Sequence, residues 1–240
     1  MFLRSIRLRD YPGHSYIRDL PVTRALLSGE PMLFDVPVTF IVGENGSGKS
    51  TLVEAIAVAL GFNAEGGSKN MNFGTVNTAS DLHSSLELVR RRKPRDGYFF
   101  RAETHYNIAS EYDRQANARG GMPPPGGKSL HAMSHGESVF QIIEHRFHSF
   151  GLFILDEPEA GLSPLRQLAL LARIHELAAA GAQFIIAPHS PVLLAVPDAR
   201  IYQISESGIA AMTFDECENV QLTREFLGDT GEFVAELLGE

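Results

Sequence analysis

The stretch VTFIVGENGSGKST, Val38 to Thr51, joins a short apolar run to a glycine-rich turn that ends in a lysine and two hydroxyl residues. VTFIV, Val38 to Val42, suits a buried strand. A helix is expected from Ser50 to about Leu60, with Leu52, Ala55, Ile56 and Ala59 on one face and Gly61 as its stop. Between them, Gly43 to Thr51 satisfies G-x-x-x-x-G-K-[ST], and strand–loop–helix is the context that a phosphate-binding loop requires. Gly43, Gly46 and Gly48 let the backbone wrap phosphates. The amides along Gly43, Glu44, Asn45, Gly46, Ser47, Gly48, Lys49, Ser50 and Thr51, with the helix N-terminus, supply positive potential. Lys49 is expected to reach the β and γ phosphates, and Ser50 to ligate magnesium.

The remaining composition limits what can surround this loop. A length of 240 residues, 44% hydrophobic and 21% charged, suits one soluble globular domain over residues 1–240. A formal charge of −8 argues against coating nucleic acid over the whole surface, so any polyanion contact must be local. Cys217 is the single cysteine, which excludes an intrachain disulfide and leads us to expect a reducing cytoplasm. Arg4, Arg7 and Arg9 interrupt what a signal peptide would keep apolar. The most apolar long window, Leu168 to Ala187, is broken by Arg173, His175 and Glu176, so no direct membrane insertion is expected.

Strands and helices alternate along the chain. Ile6 and Leu8 alternate with Arg7 and Arg9, the pattern of a half-exposed strand. LELVRRRKPRDGYFFRAE, Leu86 to Glu103, reads as two strands joined by a Pro and Gly turn, a basic hairpin. The Pro- and Gly-rich segment at about 119–129 is expected to be a mobile loop. Val139, Ile142, Ile143 and Phe147 fit a helix over Val139 to Phe150, and GLFIL, Gly151 to Leu155, a buried strand. Leu165 to Ala180 reads as a helix, Phe184 to Ala187 as a strand, and IYQIS with IAAMTF as a hairpin around Gly208. This order is that of an α/β domain with a mainly parallel sheet flanked by helices and an antiparallel β segment.

Two further motifs carry chemistry. FILDEPEAGLSP, Phe153 to Pro164, ends an apolar strand in Asp156, where a carboxylate can hold magnesium through its water shell. Glu157 can orient or deprotonate an attacking water. APHS, Ala187 to Ser190, sets His189 just past another apolar strand, expected to open on the same face as Asp156 and to contact a γ-phosphate.

GENGSGKST, MSHGES (Met133 to Ser138), FILDEPEAGLSP and APHS together resemble, in order and rough spacing, the ABC-type ATPases, P-loop NTPases that bind and hydrolyse ATP with Mg2+. The resemblance implies that MSHGES is the signature segment, which reaches the γ-phosphate of ATP held by a second subunit in a head-to-tail homodimer. Ser134, His135, Gly136 and Glu137 are then binding residues, with a helix beginning at about Ser138; a simple helix cap at Ser134 or Ser138 is the alternative. It also implies that Ser163 couples the two sites, that Glu157, His189 and Lys49 serve catalysis, and that Glu103 joins Ser50 and Asp156 at the metal in place of the family's glutamine. Glu137, where transporters carry glutamine, is similar to signatures of the SMC and RecF branch. One short segment between Glu103 and the signature leaves a reduced helical subdomain. A compact stand-alone ATPase follows, a switch acting on a further protein and compatible with DNA repair or defence; a transporter's nucleotide-binding subunit is the alternative. RRRKPR, Arg90 to Arg95, is either a solvated turn or a grip on a DNA backbone, and Tyr11 or Tyr16 would stack on adenine.

Overall fold

The computed structural model describes residues 1–10, 16–69, 71, 80–118, 121 and 123–239. In chain order its elements are β1 (Leu3–Leu8), α1 (Pro21–Ser28), β2 (Met32–Leu33), β3 (Val38–Gly43), α2 (Lys49–Ala59), β4 (Gly67–Ser68), α3 (Leu82–Ser85), β5 (Leu86–Arg90) and β6 (Asp96–Arg101). Then follow α4 (His105–Asn117), α5 (His135–Arg146), β7 (Gly151–Asp156), α6 (Pro164–Ala179), β8 (Gln183–Ala187), β9 (Arg200–Ser205), β10 (Gly208–Met212), α7 (Glu218–Gly228) and α8 (Thr230–Leu238). A seven-stranded sheet runs β10-β9-β3-β8-β7-β6-β4, and a three-stranded sheet runs β2-β1-β5. From β9 to β6 all neighbours are parallel; β10 and β4 are antiparallel edges. This is the α/β architecture with an antiparallel segment that the alternation of elements predicts.

Side chains on successive strand positions point to opposite faces, and that alternation divides the core in two. Phe40, Val42, Phe153, Leu155, Phe184 and Ile186 pack on one face with Val139, Ile142 and Ile143 of α5 and Leu170 and Ile174 of α6. Ile41, Leu152, Ile154 and Ile185 pack on the other with Leu52, Val53 and Ile56 of α2, Val22 and Leu26 of α1, and Leu3 and Ile6 of β1. The sheet therefore lies between α2 and α5. α2 is buried almost all round, not along one stripe, because the small sheet covers its outer side.

Three expectations need correcting. β5 and β6 form no hairpin: β5 pairs with β1 in the small sheet, and β6 pairs with β7 in the large one. The reason is in their patterns. Tyr98, Phe99 and Phe100 are all buried, as an interior parallel strand requires, whereas β5 puts exposed Val89 and Arg90 at its end. The basic segment 91–95 carries the chain from one sheet to the other. Second, α5 starts at His135, three residues before Ser138. Third, the interval before the signature holds the thirteen-residue helix α4, with Ile108, Ala109 and Tyr112 buried. Within the segment at 119–129, the described residues include a 3-10 turn, Pro125–Gly127, that buries Pro125.

Candidate nucleotide site

The loop after β3 closes on glycines that no other residue replaces without strain. Gly48, at φ 93°, precedes α2, and a Cβ there would lie 2.4 Å from Val22 Cγ1. Lys49 is buried, and its Nζ donates to Gly43 O at 2.6 Å and Glu44 O at 2.9 Å, drawing the ammonium across the loop's mouth. Burial lowers its pKa, while the Glu157 and Asp156 carboxylates pull the other way. At the next residue, Ser50 Oγ donates to Asp156 Oδ1 at 3.0 Å, joining the two motifs across 106 residues of sequence.

Asp156 ends β7 beside Arg101, its register partner on β6. Burial pushes its carboxyl up to about 6, against the pull of Arg101 and the Ser50 hydroxyl. Arg101 is a hub: Nη1 lies 2.5 Å from Glu54 Oε2, Nη2 3.2 Å from Glu103 Oε2, and Nε 3.8 Å from Asp156 Oδ2. Glu103 pairs with Arg101 in this cluster, and its side chain is 76% exposed. A hydroxyl and a few carboxylates are hard oxygen donors, and few donors suit magnesium, which keeps waters and substrate phosphates among its ligands. Ser50 and Asp156 fit that ion, with Glu103 within the same strand-end cluster.

Glu157 leaves the strand at φ 50°, a left-handed backbone uncommon outside glycine. Its N–H donates to Ala187 O at 2.9 Å, and its Oε1 lies 3.1 Å from His189 Nε2. The structure thus brings together Lys49, Ser50, Asp156, Glu157 and His189. Glu159, buried, fixes the loop that bears His189: its Oε1 accepts from the amides of His189 and Ser190, the latter at 2.8 Å. Burial raises its pKa against those two amide bonds. Ser190 Oγ in turn donates to Gln167 Oε1 at 2.5 Å. From the C-terminal side, Asn219 of α7 donates to His189 O at 3.4 Å.

Two cavities open beside the phosphate loop. One of about 310 Å³ is lined by Gly43, Pro188, His189 and Asn219, and one of about 340 Å³ by Pro21, Asn45, Ser47 and Ser205; Glu44, Gln203 and Glu218 border both. Tyr16 lines neither and is 75% exposed; Tyr11 lies outside the described residues.

The residues expected to form the signature segment, Ser134 to Glu137, lie at the start of α5. Ser134 is the N-cap: its side chain accepts from Glu137 N, and Glu137 Oε2 accepts from Ser134 N at 2.9 Å, a reciprocal capping box. His135 is helical, so no positive φ is demanded of it; its ring packs against Gly161 and the edge of His105, 4.8 Å between centroids. Gly136 is buried, with Arg166 beside it, and Arg166 Nη2 lies 3.9 Å from Glu137 Oε1. Ser163 caps α6 by accepting from Arg166 N at 3.4 Å. The signature and the Ser163 turn are therefore packed together within one chain.

Sequence reasoning missed Arg101, Glu54, Glu159 and Asn219. Glu159 carried a signal, since a third carboxylate, three residues after Asp156 and buried in the turn, must find donors. Glu54 and Arg101 carried none, being 47 residues apart on different elements.

An AAA-domain family model matches residues 26–144, and a second AAA-domain model, whose description names an AbiEii toxin and a type IV TA system, matches residues 128–195. No curated protein matches the chain. Among solved structures, an SMC head bound to the C-winged helix domain of ScpA aligns with a TM-score of 0.50 at 15% identity, over 88% of this chain and 98% of that one. A metal-chelate type ABC transporter in an inward-facing conformation aligns with a TM-score of 0.51 at 11% identity, over 95% and 90% of the two chains. At such identities the likeness is one of fold. No helix among the described residues is long and apolar enough to cross a membrane. The two AAA-domain models overlap at residues 128–144 and together span the stretch that holds all four motifs, and the fold around those motifs is shared with an SMC head and an ABC transporter: the chain is an AAA-domain P-loop ATPase.

Proposed function

We propose that two copies of the chain close head to tail around two ATP molecules and that hydrolysis reopens them, making the protein a nucleotide-driven switch. The observation that carries this reading is the position of the sheet between α2 and α5. α5 leads through residues 147–150 into the start of β7, so its N-terminus faces the same strand ends as the phosphate loop, but from the other side of the sheet. Within one chain the sheet keeps Ser134 and Gly136 away from Gly43 to Thr51. In a twofold dimer each signature segment meets the other chain's site, so each protomer supplies a different patch to each nucleotide.

In this reading Lys49 and the loop amides hold the β and γ phosphates, and Ser50, Asp156 and Glu103 hold Mg2+, which when bound neutralises phosphate charge. Glu157 accepts a proton from the attacking water or orients it, and His189, already paired with Glu157, steadies the γ-phosphate. Ser134, His135, Gly136 and Glu137 cover that phosphate from the partner. Ser163, on the turn that packs against the signature, relays closure between sites. The lone cysteine fits a reducing compartment such as the cytoplasm.

Glu157→Gln keeps the shape of the side chain and removes its basicity. With ATP and magnesium it is expected to elute at dimer mass in light-scattering chromatography, with turnover reduced about 100-fold or more. A monomer at saturating ATP, or undiminished hydrolysis, overturns the proposal.

A further inference from the structure

We propose a second ligand site, for single-stranded nucleic acid, at the end of the sheet away from the ATP site. It is independent of the dimer reading. Segment 91–95 and Phe150 immediately precede β6 and β7, whereas Asp156 and Arg101 end those strands, so the two sites are about 17–20 Å apart. That is more than two screening lengths of about 8 Å at physiological salt, so the cations here do not serve the ATP phosphates.

Lys69, Arg90, Arg91, Arg92, Lys93 and Arg95 gather here, six of the chain's 21 lysines and arginines in a protein of net charge −8. Among the described residues none of the six forms an ion pair with a carboxylate. Five of them rim a cavity of about 400 Å³ whose apolar floor includes Phe2, Leu60 and Leu152. The guanidinium of Arg92 lies over the Phe2 ring at 4.9 Å and within 5.8 Å of Phe150, and Arg95 lies 5.7 Å from Phe150. Stacked guanidiniums are held in place and still present donors outward.

Phe150 is the independent second sign. It is 43% exposed and holds φ 61°, a left-handed conformation that costs a bulky aromatic residue energy. An exposed ring beside an unpaired cationic groove is the combination that binds unpaired nucleotides, the ring taking a base and the cations the backbone. A duplex hides its base faces and has no use for the ring or the apolar floor; those two features select the single strand.

The test is fluorescence anisotropy of labelled 20-nucleotide oligo-dU and oligo-U, which differ only in the sugar, without ATP, across a salt series. Arg91→Ala/Arg92→Ala/Lys93→Ala is expected to flatten the dependence of log K on log salt by about 2 and to weaken binding about 100-fold at 0.1 M salt. Phe150→Leu is expected to weaken binding about tenfold with an unchanged salt slope. ATP hydrolysis without oligonucleotide stays at the wild-type rate in both variants, showing that they fold. Binding of either oligomer in this pattern supports the proposal, and the tighter of the two assigns the sugar. No binding at 50 mM salt, a triple variant that binds like wild type, equal affinity for a duplex of the same length, or capture by phosphatidylserine vesicles but not by oligonucleotides each overturns it.

Discussion

Keeping Asp156 ionised inside the resting fold costs stability. Its folded pKa of about 6 stands above the ordinary 3.8, because burial outweighs Arg101 and the Ser50 hydroxyl. Between these values the folded chain binds more protons than the unfolded one, so stability falls as pH rises through that window, and the loss is complete above it. Glu159, raised in the same direction by burial, adds to this slope. Asp156→Asn keeps an acceptor for Ser50 without the charge. It is expected to abolish magnesium-dependent hydrolysis and to stabilise the nucleotide-free protein at pH 8 by about 1–3 kcal/mol, with little or no gain at pH 4. Thermal melts of both proteins at the two pH values check this; a gain that is equal at both places the origin of the effect outside ionisation of Asp156.

α5 joins capping and the proposed contact in trans in the same four residues, and a substitution can separate the two. Ser134→Ala removes the cap and is expected to cost about 1 kcal/mol. Ser134→Asn keeps a good cap, with an amide N–H in place of the hydroxyl that donates to Glu137 Oε2, but sets a bulkier side chain where the partner's phosphate would come. Its melting point is expected to stay within about 2 °C of wild type, while its ATP-dependent dimer is lost in light scattering. Persistence of that dimer would detach Ser134 from the interface. The legibility of this element in the sequence was uneven for physical reasons. β3, β7 and β8 are buried on both faces, so their apolar runs declared them. The first turn of α5 is His135, Gly136 and Glu137, with no apolar periodicity; its start was written in the Ser134–Glu137 capping pair instead. The positions of Gly43–Thr51, Asp156 and His189 at strand ends were legible because apolar runs end directly before those motifs. Arg101 was not, since its meaning comes from β6 lying beside β7, a matter of strand order that local pattern does not carry.

At the scale of the molecule, one sheet separates two helical layers, and the groups to which we assign hydrolysis are already in contact within one protomer. Glu157 meets His189, and Glu159 ties the histidine's loop to the end of β7 with two amides, all within a lone protomer. What a lone protomer lacks, on our proposal, is the far side of the phosphate. The sheet between α2 and α5 then has a kinetic consequence. Activity per molecule should fall on dilution, with initial rates rising as the square of protein concentration while protomers are scarce and linearly once they are abundant. A rate series over three decades of enzyme at fixed saturating ATP would reveal the change of order, and strict first order throughout would mean that each chain works alone. A cell making such a protein would tune its output through copy number alone: while protomers are scarce, halving the supply of chains would cut total turnover fourfold.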